Sequence, residues 1–132
     1  MQKNEIISIN SSSDVVLVRQ AVRQLAVELG FSLINQTKIV TGASELARNT
    51  LEHGGGGTVN IEALDEGTRR GLRLIFEDSG PGIPDLELAL KDGFTTGGGL
   101  GMGLSGTKRL VNEFDIVSRV GEGTRITITK WK

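Results

Sequence analysis

The sequence predicts an α+β fold, a two-layer α/β sandwich with helices covering one face of a mixed, mostly antiparallel sheet. Three observations predict it. Element signals run in the order β-α-α-β-β-α-α-β-β, without the regular βα alternation of a doubly wound parallel sheet. Two pairs of strands are joined by short glycine-containing stretches, D-E-G-T-R-R-G and V-G-E-G. Glycine, 19 residues in all, is concentrated at 54–57, 80–82 and 97–106, between periodic segments, and there marks loops with special backbone geometry.

Each element has its own justification. Glu5 to Ile9 alternates weakly and reads as the first strand. Ser11, Ser12, Ser13 and Asp14 then offer N-caps for a helix ending near Gly30, which suits a C′ position. Inside it Val18, Val22, Leu25 and Leu29 fall on one apolar stripe. A second helix starts at Asn35 or Thr37 and runs to about His53, burying Ile39, Ala43, Leu46 and Thr50 with Val40, Ala47 and Leu51. Gly54 to Gly57 stops it. Strands follow at Thr58 to Leu64 and Leu72 to Asp78. Pro84 and Asp85 begin a short helix through Leu90, and Lys91 to Gly101 reads as a flexible segment. Another helix runs from about Gly103 to Asn112. The chain closes in a hairpin, Phe114 to Arg119 and Thr124 to Trp131.

Bulk properties bound the function. A length of 132 residues fits one domain, 1–132, able to bury roughly two-thirds of its unfolded surface. The formal net charge of −1 lacks the basic footprint that non-specific nucleic-acid binding needs. With no cysteine and a single histidine, disulfides, Cys-ligated zinc and His-cluster metal sites are not expected. No apolar run approaches a signal peptide or a membrane span, so a cytoplasmic location with no membrane partner is the expectation.

The residues from Glu77 to Leu104 carry the chemistry: E-D-S-G-P-G-I-P, a polar interval, then T-G-G-G-L-G-M-G-L. Asp78 ends a strand whose Leu72, Leu74 and Phe76 alternate toward a core, and a carboxylate there can accept a hydrogen bond from an adenine amino group. Guanine presents a carbonyl at the equivalent position and is repelled. Gly80 and Gly82 then leave room for a flat base, although D-S-G-P-G-I-P also reads as a tight turn. The run Thr96, Gly97, Gly98, Gly99, Leu100, Gly101, Met102, Gly103 and Leu104 opens onto a helix, where backbone N–H groups and the helix dipole favour phosphate. No G-K-[ST] follows, so it is not a Walker A loop; a surface loop is the bland alternative. One carboxylate for a base and one backbone nest for a polyphosphate together suggest a nucleotide site.

On the second helix Glu45, Asn49 and His53 recur every four positions, within roughly an 80° arc of one face. A solvated polar face explains the trio as it stands. Beside a nucleotide, Asn49 offers an amide oxygen suited to Mg²⁺, and Glu45 would face the γ-phosphate to orient an attacking hydroxyl or water. His53 fits a helix-end residue at the C-terminal dipole, and Lys108 and Arg109 fit surface solvation. Thr124, in G-E-G-T, belongs first to a hairpin turn and can also bond a buried base.

The boxes occur in one order: E-x-x-x-N-x-x-x-H, D-x-G-x-G-I-P, G-x-G-x-G, then G-T. That order resembles the GHKL ATP-binding (Bergerat) fold shared by histidine kinases, gyrase and Hsp90, over most of the chain. The resemblance implies ATP and Mg²⁺ as cofactors, Glu45 as general base, Asn49 as Mg²⁺ ligand and Asp78 as adenine reader. It places Gly80, Gly82 and Ile83 at the adenine pocket and residues 96–104 in the phosphate lid. The length falls short of a complete histidine kinase or gyrase subunit. A-S-E-L-A-R-N, D-S-G-P-G-I-P-D and D-G-F-T-T-G-G-G-L-G-M-G-L-S-G-T-K-R-L are similar to the small serine/threonine kinases of bacterial partner-switching modules. That group implies STAS-domain scaffold and antagonist proteins as substrates and a PP2C-type phosphatase as the partner activated on release. An anti-sigma factor that sequesters a sigma subunit is the alternative within the same fold.

Overall fold

The computed structural model describes residues 4–91 and 103–132. Five strands and four helices follow in the order β1 (Asn4–Ile9), α1 (Ser12–Glu28), α2 (Leu33–Glu52), β2 (Gly57–Asp65), β3 (Arg70–Asp78), α3 (Leu86–Ala89), α4 (Gly103–Leu110), β4 (Glu113–Arg119) and β5 (Gly123–Trp131). The strands form one sheet in the order β1-β2-β3-β5-β4. Every pairing is antiparallel, so the expected mixture of directions is replaced by a uniform ladder. The α+β, two-layer reading stands.

Period-two alternation puts one side of each strand against the helices. Val59, Phe76, Ile126 and Ile116 lie opposite one another across β2, β3, β5 and β4. The next row along holds Ile61, Leu74, Ile128 and Phe114. From above, α1 contributes Val18, Val22 and Leu25, and α2 contributes Ile39, Ala43 and Leu46, all buried. Full burial of each such side chain is worth about 1.5–3 kcal/mol against exposure. The other face of the sheet carries Asn60, Glu62, Arg73 and Thr127, and there Arg73 lies 3.7 Å from Glu62.

One helix start and one helix end differ from the sequence expectation. Helix α2 begins at Leu33, earlier than Asn35 or Thr37, because the Ser32 side chain caps it by accepting from the Asn35 N–H at 3.1 Å. For α1, Ser11 is the N-cap residue but its hydroxyl makes no capping bond; Asp14 instead accepts from the Asn10 N–H at 2.9 Å. Helix α4 ends at Leu110, short of Asn112, whose amide oxygen accepts from the Trp131 N–H at 2.8 Å. The segment read as flexible lies, from residue 92 onward, outside the described residues.

Candidate nucleotide-binding site

The apolar rows stop abruptly at one end of the sheet. Two residues beyond Val59, Phe76, Ile126 and Ile116, on the same face, the row reads Gly57, Asp78, Thr124 and Ser118. A polar row continuing a core face needs partners, and within it Thr124 and Ser118 partner each other. Thr124, buried, lies with its hydroxyl 2.8 Å from that of Ser118. The Ser118 hydroxyl also accepts from the Ile83 N–H at 2.7 Å, tying the loop after β3 to β4. Ile83 itself packs against the core. Asp78 accepts from the Gly80 N–H at 2.9 Å through Oδ1, which turns the chain away from the strand.

Helix α2 reaches this row through Gly54. Its N–H donates to the Asn49 carbonyl at 3.3 Å, prolonging the helix end. A Cβ on Gly54 would stand 2.4 Å from both Cβ and Cγ of Asp78, and one on Gly80 would stand 2.7 Å from the Gly54 Cα. Two segments distant in sequence, the end of α2 and the end of β3 with its following turn, thus meet with no side chain on either glycine between them. Asn49 and Glu45 lie one and two turns back along α2, both half-buried. They continue the stripe of Gly42, which packs near Thr107 of α4. Glu45 is not idle: its carboxylate holds the Arg48 guanidinium at 2.9 Å. His53 is the exposed C-cap residue of α2, as a helix-end histidine should be.

The glycines of D-S-G-P-G-I-P are explained differently from the expectation. The space a Cβ would take at Gly80 is filled by Gly54, and at Gly82 (φ +79°) it is filled by the Arg119 carbonyl, 2.3 Å away. Close backbone packing demands glycine at both positions. Gly103 opens α4 with φ +72°, and Leu104 behind it is buried. Lys108 and Arg109 are exposed in its last turn. Thr96 to Met102, the bulk of the expected lid, lie outside the described residues. Sequence reasoning missed Gly54 and Ser118. The glycine run was visible only as a helix stop, and Ser118 looked like one more residue of an edge strand.

Among the described residues no cluster of three metal-binding side chains exists. Nor is any described helix long and apolar enough to cross a membrane.

A two-layer sandwich with an acidic strand end, a bare helix terminus and an Asn–Glu helix face defines a GHKL-type nucleotide-binding protein. The family model for histidine kinase-, DNA gyrase B-, and HSP90-like ATPases matches residues 34–132. The serine/threonine-protein kinase RsbT of Bacillus subtilis is 46% identical over 131 residues, 99% of this chain and 98% of the relative. An anti-sigma F factor of Clostridium kluyveri is 30% identical, covering 92% of this chain and 89% of its own. Among solved structures, one holding RsbU and RsbW domains from Mycobacterium tuberculosis superposes with a TM-score of 0.67 at 21% identity. This chain spans 33% of that one. The catalytic domain of histidine kinase ThkA gives a TM-score of 0.53 at 20% identity, with 96% and 95% of the two chains covered. The chain belongs to the histidine kinase-, gyrase B- and HSP90-like ATPase family, and within it to the RsbT-type serine/threonine-protein kinases.

Proposed function

We propose that this chain binds Mg-ATP and transfers its γ-phosphoryl group to a serine or threonine of a partner protein. The contact of Gly54 with Asp78 and Gly80 carries the reading, because it joins the base-reading strand end to the helix bearing Glu45 and Asn49. Asp78, oriented through Oδ1 by the Gly80 N–H, presents its carboxylate to the adenine amino group. Thr124, oriented by Ser118, supplies a hydroxyl beside it. Asn49 offers the amide oxygen for Mg²⁺, which when bound neutralises phosphate charge. By the family resemblance, the glycine run 97–103 would bind the phosphates.

Glu45 positions the substrate hydroxyl. That oxygen forms the new bond to the γ-phosphorus as the bond to the β,γ-bridging oxygen breaks; ADP leaves, and the hydroxyl proton passes to the Glu45 carboxylate. The protein substrates of this reading are STAS-domain scaffold and antagonist proteins, and a PP2C-type phosphatase is the partner bound after release, in the cytoplasm. Similarity to the RsbT kinase over nearly the whole chain supports it.

The test is incubation with γ-labelled ATP and candidate STAS proteins. Label on serine or threonine is expected, and Glu45→Ala should lose roughly 10²–10⁴ in transfer rate while still binding Mg-ATP. Full activity in that variant removes Glu45 as the base. The similarity to anti-sigma F factors favours a second reading, sequestration of a sigma subunit. Capture of a sigma subunit without phosphotransfer would select it.

A further inference from the structure

The nucleotide row closes one end of the helix-facing side of the sheet; the other end is basic. There Ala63, Leu72 and Lys130 lie opposite one another across β2, β3 and β5. About 20 Å of strand separates Leu72 from Asp78, so this end lies apart from the proposed adenine site. Lys130 is only 8% exposed, on the side of β5 that carries Ile126 and Ile128. Burial first, and then the charge of Lys38 on α2, keep its pKa below the usual 10.5. Lys132 follows two residues later on the same side. Its Nζ lies 3.1 Å from where a Cβ on Gly30 would stand. Three ammonium groups therefore gather where the α1–α2 turn meets the end of β5. Among the described residues none of the three has an ion-pair or side-chain hydrogen-bond partner. The carboxylate of the outermost row, Asp65, is two strands away on β2 and accepts from the Gly67 N–H.

A buried charge is ordinarily paired, and an ammonium left beside another one costs stability. The start of α2 adds to the same field. Ser32 takes up the N–H of Asn35 with its hydroxyl and that of Gln36 with its carbonyl. The N–H groups of Leu33 and Ile34 are left without an intrahelical acceptor, and the dipole of this 20-residue helix makes the region positive. Leu33 and Ile34 are also 72% and 69% exposed, an apolar pair at the same helix end. We propose that this end of the molecule docks an acidic segment of a partner protein, with one carboxylate on Lys130 and an apolar neighbour over Leu33 and Ile34. The recess selects the occupant. A carboxylate side chain projects to a lysine nine-tenths buried, whereas a flat anionic membrane stops at the exposed Lys38 and Lys132. A free phosphate ion reaches Lys130 but leaves the apolar pair in water. Docking here leaves the nucleotide end of the sheet open.

The probe is a fluorescein-labelled hexapeptide, Asp-Leu-Glu-Glu-Leu-Asp, titrated by anisotropy against the whole protein at low salt. Counterparts are Asn-Leu-Gln-Gln-Leu-Asn, without charge, and Asp-Ser-Glu-Glu-Ser-Asp, without apolar side chains. The proposal predicts saturable binding of the first peptide and at least about tenfold weaker binding of both counterparts. Lys130→Met should weaken binding by about tenfold or more, and the fold should survive because the change removes an unpaired buried charge. Leu33→Ser, at an exposed position, should weaken it severalfold. Arg119→Gln, which removes one exposed charge at the nucleotide end, should leave it unchanged. Amide NMR shifts should move at residues 30–38 and 130–132 when the peptide binds. Equal affinity for either counterpart, undiminished binding in Lys130→Met, a comparable loss in Arg119→Gln, or shifts only elsewhere overturns the proposal. So does absence of binding at millimolar peptide. Retention on phosphatidylglycerol vesicles, or uptake of inorganic phosphate, in place of peptide binding would also overturn it. None of these outcomes requires ATP or phosphotransfer, so the kinase reading and this one fail separately.

Discussion

Two rows on the same face of the same four strands, two residues apart, have opposite characters. Val59, Phe76, Ile126 and Ile116 fill a core; Gly57, Asp78, Thr124 and Ser118 end it. The strands supply an identical scaffold to both, so the difference is one of side chains and of what lies above. Over the first row sit apolar helix faces. Beyond the second, Gly54 follows the C-cap residue of α2 and puts no side chain between the helix terminus and Asp78. The core and the proposed adenine site are thus separated by about 7 Å of strand, which makes them separable by mutation.

The largest effect should come from the apolar row. Phe76, 2% exposed, when truncated to alanine should cost about 3–5 kcal/mol in urea unfolding, with ATP affinity falling only as far as folded protein is lost. A loss of binding without a loss of stability would erase the distinction between the rows. Next is Gly54→Ala. The added methyl would meet Asp78 at 2.4 Å, so overpacking of about 1–3 kcal/mol is expected, and here ATP affinity should drop by more than the unfolding accounts for. Calorimetry showing unchanged affinity would mean that the Gly54 contact does not set the carboxylate.

The opposite end of the face offers the smallest test. Lys130, paired with Leu72, is buried there, and desolvation followed by the charge of Lys38 lowers its pKa from the usual 10.5. A lysine whose folded pKa is depressed releases its proton more readily when folded. Its destabilising effect is full below the folded pKa and fades as pH rises toward 10.5. The stability gained by Lys130→Met should therefore shrink as pH rises toward 10.5. A gap constant with pH would show that Lys130 titrates normally.

Much of this was legible beforehand, for physical reasons that differ by element. The α1 stripe and the alternation of β3 are periodic because each element has one buried side. The start of α2 was misplaced because Leu33 and Ile34 are 72% and 69% exposed, apolar residues on a solvent face that break the expected period. Strand direction is not written in a strand's own residues, so the uniform antiparallel ladder emerged only from the pairing. Asp78, Asn49 and Glu45 were singled out because the chemistry proposed for them is local to a motif. The bond from Ile83 to Ser118 spans 35 residues, and the contact of Gly54 with Asp78 depends on how α2 meets β3. Neither leaves a mark in local sequence.

The central claim is that Asp78 reads adenine at the edge of a core it does not help to hold. Titration calorimetry of the wild type and Asp78→Asn with Mg-ATP and Mg-GTP tests it most directly, with unfolding followed in parallel. The account predicts heat for ATP with the wild type, little for GTP, and near-complete loss of ATP binding in a variant that stays folded. Equal binding of both nucleotides, or undiminished ATP affinity in Asp78→Asn, would contradict it.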